Sequence, residues 1–120
     1  SRILSRGEFE SVDPNMSALI NNCFIEIQPM GNVASYCVDE KDGVVEMAWS
    51  EDLDWVPNYI GILNNNLILL DKYNNIIVEL DAKSGIEKGV FPLLWDATQS
   101  SINNNHVIVK SDRKLYAITI

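Results

Sequence analysis

The chain has little of what catalysis requires. Its 120 residues hold a single histidine, His106, and two cysteines, Cys23 and Cys37. No His/Cys cluster has metal-ligand spacing, and no glycine-rich phosphate loop follows a strand. The only candidate base for a nucleophilic triad is His106. Asp39–Gly43 faintly resembles a calcium loop but lacks its length and its closing Glu. These absences argue against an enzyme, a metal protein or a cofactor carrier. Basic residues are also few: nine Lys and Arg against 17 Asp and Glu, a formal net charge of −8. Such a surface is a poor match for nucleic acid and a good one for a basic protein. No apolar run approaches the ~18 residues of a membrane span, and the start, Ser1-Arg2-Ile3-Leu4, does not read as a secretory leader. With so few cysteines, reduced thiols in the cytoplasm are expected, although a one-residue change of register decides whether Cys23 and Cys37 face each other.

What the chain does have is a repeat. Asn64-Asn65-Asn66 is a turn signal, because Asn tolerates positive φ and bonds its own backbone. Leu67-Ile68-Leu69-Leu70 follows, too short for a helix and apolar at successive positions, so both faces of that strand should be covered. Asp71–Asn75 turns the chain, Ile76-Ile77-Val78-Glu79-Leu80 returns it, and Asp81-Ala82-Lys83-Ser84-Gly85 turns it again. A second copy runs through Asn21-Asn22, Cys23–Ile27, Val33–Val38 and Asp39-Glu40-Lys41-Asp42-Gly43. A third runs through Asn103-Asn104-Asn105, His106–Val109 and Lys114–Thr119. Pro14-Asn15 precedes the first copy as Pro57-Asn58 precedes the middle one. The period is roughly 40 residues, the size of a four-stranded blade.

The Leu80–Gly85 run after Ile76-Ile77-Val78 resembles blades of quinoprotein-like β-propellers, and more loosely WD-type blades. The resemblance implies a strand that ends in Asp-Ala-x-x-Gly and turns into the blade's outer strand. The Trp-Asp ending of WD blades and the recurrent quinoprotein tryptophan are missing, so no cofactor is expected. The expected fold is all-β: one domain over 1–120, with blade-like repeats at about 14–52, 57–91 and 100–120 plus 1–9, in a pseudo-threefold arrangement. The opening residues 1–9 are expected to supply the last outer strand, which would make the chain complete. A β-sandwich, or a homodimer forming a six-bladed ring, are the alternatives. Val44–Trp49 is expected as an outer strand, with a short helix through Leu53 as its rival, and 50–58 as a connecting loop.

In such a fold the loops from outer to next inner strand share one face. They carry Glu8, Glu10 and Asp13, then Glu51, Asp52 and Asp54, then Asp96, with Trp55 and Trp95 among them. Acids around exposed aromatics suit a basic protein, charge steering the encounter and rings anchoring it. The expected function is therefore a binding module that masks a basic partner. Its most concrete form is a bacterial immunity protein occluding the active site of a nuclease toxin, as a monomer or homodimer. The alternative is a lectin-like protein, using the repeated Asn residues with Trp or Tyr between blades.

Overall fold

The computed structural model describes residues 16–28, 31–93, 99–103, 106–111 and 114–118. Residues 1–9, expected to complete the last repeat, lie outside them, as do Glu8, Glu10, Asp13, Trp95 and Asp96. The described residues form strands and turns and contain no helix. The first sheet is β1 (Ser17–Ile20), β2 (Cys23–Ile27), β3 (Asn32–Val38) and β4 (Val45–Asp52). The second is β5 (Tyr59–Leu63), β6 (Asn66–Asp71), β7 (Ile76–Asp81) and β8 (Glu87–Pro92). The third is β9 (Gln99–Asn103), β10 (His106–Ser111) and β11 (Lys114–Ile118). Each is an antiparallel meander in chain order. The fold is all-β, as the repeat implied.

The turns explain why the first two copies fold back at the same places. Asn21, Asn64, Asn65 and Asn75 all adopt positive φ, a conformation Asn reaches at low cost. Asp39 and Asp81 open equivalent turns: Gly43 N–H donates to Asp39 O, and Gly85 N–H to Asp81 O, both at 2.7 Å. The carboxylates cap those turns, Asp39 accepting from Lys41 and Asp42 N–H, and Asp81 from Ser84 N–H and Oγ–H. The Pro-Asn pair acts as a splice. Pro57 is buried, Asn58 N–H reaches Leu70 O at 2.8 Å, and Asn58 Oδ1 accepts Lys72 N–H at 2.9 Å.

The middle sheet is apolar on both faces because it is covered on both. Leu67, Leu69, Val78 and Leu80 pack against Ile25, Ile27, Val33 and Trp49 of the first sheet. Ile68, Leu70 and Ile77 pack against Val107 and Val109 of the third. Adjacent residues of β6 thus enter different cores, as the unbroken apolar run required. The inner strands succeed one another, β1 against β5 and β5 against β9. Among the described residues the two cores join first sheet to second and second to third.

Two expectations change. Cys23 and Cys37 pair directly across β2 and β3, with Cα atoms 4.1 Å apart, and form a disulfide instead of two free thiols. The register that sequence left open puts both side chains on one face. Residues 50–52, expected in a loop, belong to β4: Val33 pairs with Glu51 and Asn32 with Asp52. The strand runs on because β3 supplies partners as far as Asn32, and Leu53 N–H still reaches Gly31 O.

Candidate functional site

The end of β4 brings three of the expected acids together. Glu51 and Asp52 close the strand and Asp54 follows in the loop; all are exposed. A bulge in the β3–β4 ladder between Ser35 and Tyr36 shifts the register of this strand. Bulges re-aim side chains in this way. Glu46, also exposed, extends the acidic character back along β4. Asn32 steadies the strip from β3, its Oδ1 accepting the Ser50 hydroxyl at 2.9 Å and its Nδ2 donating to Gln28 Oε1 at 2.8 Å.

Trp55 has a divided role. It is half-buried and packs against the core between the first two sheets, so only part of its ring is available to a partner. Its backbone passes over Gly31, where an added Cβ would stand 2.4 Å from Trp55 O. Gly31 also has φ +84°, so the turn before β3 needs glycine twice over. Val56, 49% exposed, gives this loop an apolar contact that charge-based reading passed over.

The tryptophan that matters most to the architecture is Trp49, which sequence reading placed only in an outer strand. It is buried, and its Nε1–H donates to Ala82 O at 2.9 Å. Its ring lies against Gly85, where a Cβ would come within 2.5 Å of Cε3. Trp49 therefore clamps the first sheet onto the β7–β8 turn of the second. The signal was present as a β-strand tryptophan aligned with the Asp-Ala-x-x-Gly turn, but spacing alone does not say which neighbour a ring will meet.

Between these sheets lies a cavity of about 590 Å³, lined by Asn21, Asn22, Asn65, Lys83 and the Cys23–Cys37 disulfide among others. Its amide groups are partly committed, since Asn22 Nδ2–H donates to Val38 O. Among the described residues no aromatic ring lines it. Asp81 borders the cavity, its carboxyl held below the usual value chiefly by the Ser84 hydroxyl, against the opposing effect of burial. Among the described residues no group of three His, Cys, Asp or Glu is placed to hold a metal ion.

No protein-family model and no curated protein matches the sequence. Solved structures do, at the level of fold. BamB from Moraxella catarrhalis, a β-propeller, superposes with a TM-score of 0.63 at 18% identity, over 86% of this chain and 31% of that one. The chain thus spans about a third of the length of that match. With four-stranded meanders stacked face to face through apolar cores, the likeness shows that this chain has a β-propeller-like, repeated all-β fold.

Proposed function

We propose that the chain is an acidic binding module that masks a basic protein, and that its concrete role is that of an immunity protein occluding the active site of a bacterial nuclease toxin. The observation that carries this reading is the exposed strip of Glu51, Asp52 and Asp54 at the end of β4. The ladder to β3 fixes Glu51 and Asp52, and the exposed Val56 and half-buried Trp55 follow in the loop beside Asp54. A nuclease cleft must attract phosphate, so it is positive. An acidic cap with an apolar margin complements it without catalytic groups of its own. A net charge of −8 adds a long-range attraction.

The test is titration calorimetry with purified basic bacterial nuclease toxin domains, at low and high salt. The expected complex weakens with salt, and the triple variant Glu51→Gln, Asp52→Asn, Asp54→Asn loses at least about tenfold in affinity. A complex indifferent to both changes would remove the strip from the interface.

A further inference from the structure

Strands alternate in direction within each meander, so the β2–β3 turn, the β4–β5 loop and the β6–β7 turn lie at one end of the sheets. Hydrogen bonds join them into one rim. On one side Leu53 N–H reaches Gly31 O at 3.1 Å. On the other, Asn58 Oδ1 accepts Lys72 N–H at 2.9 Å. The loop that carries Asp54 and Val56 therefore runs directly onto the β6–β7 turn of the second sheet.

That turn is held from several directions. Asp71 is 2% exposed. Its Oδ1 accepts Tyr73 N–H at 3.1 Å and Asn74 N–H at 3.2 Å, and its Oδ2 accepts Asn74 Nδ2–H at 2.7 Å. Leu93 N–H donates to Asn75 O at 2.7 Å. On this fixed base stands Tyr73, whose side chain is 81% exposed and belongs to neither core. The turn takes from position 73 a backbone N–H, which any residue but proline supplies. Folding thus does not account for an aromatic ring there.

The chemistry of the ring points to a cation. Lys72 Nζ already lies 5.8 Å from its centroid, the range in which the face of an aromatic ring attracts positive charge. Arginine is planar and more weakly hydrated than lysine, and stacks on such faces. An aromatic on a rigid turn loses little freedom when it is bound, and tyrosine is among the residues that carry most of the energy of an interface.

We propose that Tyr73 is an aromatic anchor of this rim, its ring seating an arginine of the basic partner while Glu51, Asp52 and Asp54 meet neighbouring basic groups. The inference rests on the reading of the acidic strip given above, and adds to it the side chain that the partner must offer.

The test is nuclear magnetic resonance titration of the intact, isotope-labelled chain with hepta-arginine at low salt. The amides of Glu51, Asp52 and Asp54 and the ring protons of Tyr73 are expected to shift together. Tyr73→Ala and Tyr73→Leu each weaken peptide binding by at least about threefold, whereas Tyr73→Phe keeps it. Leucine offers apolar area without a π face, so its loss separates stacking from plain burial. Lys72→Gln removes the competing cation and tightens binding. Both positions are exposed, and the circular dichroism of every variant should match that of the parent. If the strip responds while Tyr73 stays silent, or if Tyr73→Leu binds as tightly as the parent, the inference is overturned and the reading of the strip stands. If neither responds, both fall.

Discussion

The clamp between Trp49 and the β7–β8 turn permits a quantitative test of how the first two sheets are joined. Gly85→Ala introduces a Cβ into a residue at φ +78°, 2.5 Å from Trp49 Cε3 and 2.7 Å from Cδ2. The left-handed conformation costs an alanine about 1–2 kcal/mol, and overpacking against a buried ring adds about 1–3 kcal/mol. The single change should therefore destabilise by roughly 2–5 kcal/mol. Trp49→Leu removes the ring atoms that crowd Gly85 and also the Nε1–H donated to Ala82 O. A buried carbonyl left without its donor costs about 1–3 kcal/mol, before the loss of packing is counted. On the Trp49→Leu background, Gly85→Ala should cost only the backbone part, about 1–2 kcal/mol. Urea unfolding followed by far-ultraviolet circular dichroism avoids dependence on tryptophan fluorescence. A coupling of about 1–3 kcal/mol between the two changes is expected, the sign being that the second change hurts less once the first is made. Strict additivity would refute the contact and, with it, the packing of the two sheets as described.

Four further outcomes follow from the same structure. The Cys23–Cys37 disulfide spans a sequence separation of 14; reduction, or Cys37→Ser, should cost about 3 kcal/mol on the loop-entropy estimate, and intact mass without reductant should be lower by two hydrogens. Asp81 has its pKa lowered below the ordinary 3.8, mainly by the Ser84 hydroxyl. Its contribution to stability is therefore present above that ordinary value and lost as pH falls through the lower folded-state value; Ser84→Ala should raise the Asp81 pKa in a carbon-detected titration and narrow its stability deficit in acid. Gly31→Ala should destabilise strongly, by about 2–4 kcal/mol, because its Cβ would meet a backbone carbonyl that cannot rotate away and its φ is positive; thermal melts measure it. Neutralising Glu51, Asp52 and Asp54, all exposed, should leave stability within about 0.5 kcal/mol while changing partner affinity.

How much of this was legible beforehand depends on the range of the interaction. Turns are local, and the chain announced them: Asn21, Asn64 and Asn75 do take positive φ, and the two Asp-to-Gly turns are built alike. The continuous apolar run Leu67–Leu70 correctly announced a strand covered on both faces. Register is less local. Whether Cys23 meets Cys37 depends on where a turn of several residues begins, and composition pointed away from the disulfide that direct pairing allows. The length of β4 was missed because Ser50, Glu51 and Asp52 are polar at successive positions, and a polar run reads as a loop. They remain in the strand because β3 offers them hydrogen-bond partners, and an edge strand can leave its side chains in water. Packing between sheets was the least legible. Trp49 and Trp55 look alike in sequence, yet one is a buried clamp and the other a half-buried margin, a distinction made by Gly85 and Gly31 far along the chain.

The charges on β4 illustrate how one feature can answer two needs at different levels. An outer strand with an open edge invites other chains to pair with it, and charged side chains are a common defence. Glu46, Glu51 and Asp52 provide that defence while remaining exposed, whereas Trp49 on the same strand is buried. The same exposure that protects the edge leaves the carboxylates ready for a basic partner. Edge protection, however, accounts only for charges on the strand. It does not account for Asp54, which lies past the last ladder pair, or for the exposed Val56 beside it. Those two residues separate the roles. Asp54→Asn and Val56→Ser should weaken a partner complex without promoting self-association, whereas Glu46→Gln should do the reverse. The sheet faces would then be given over to stacking within the chain, and the rim at the end of β4 to recognition.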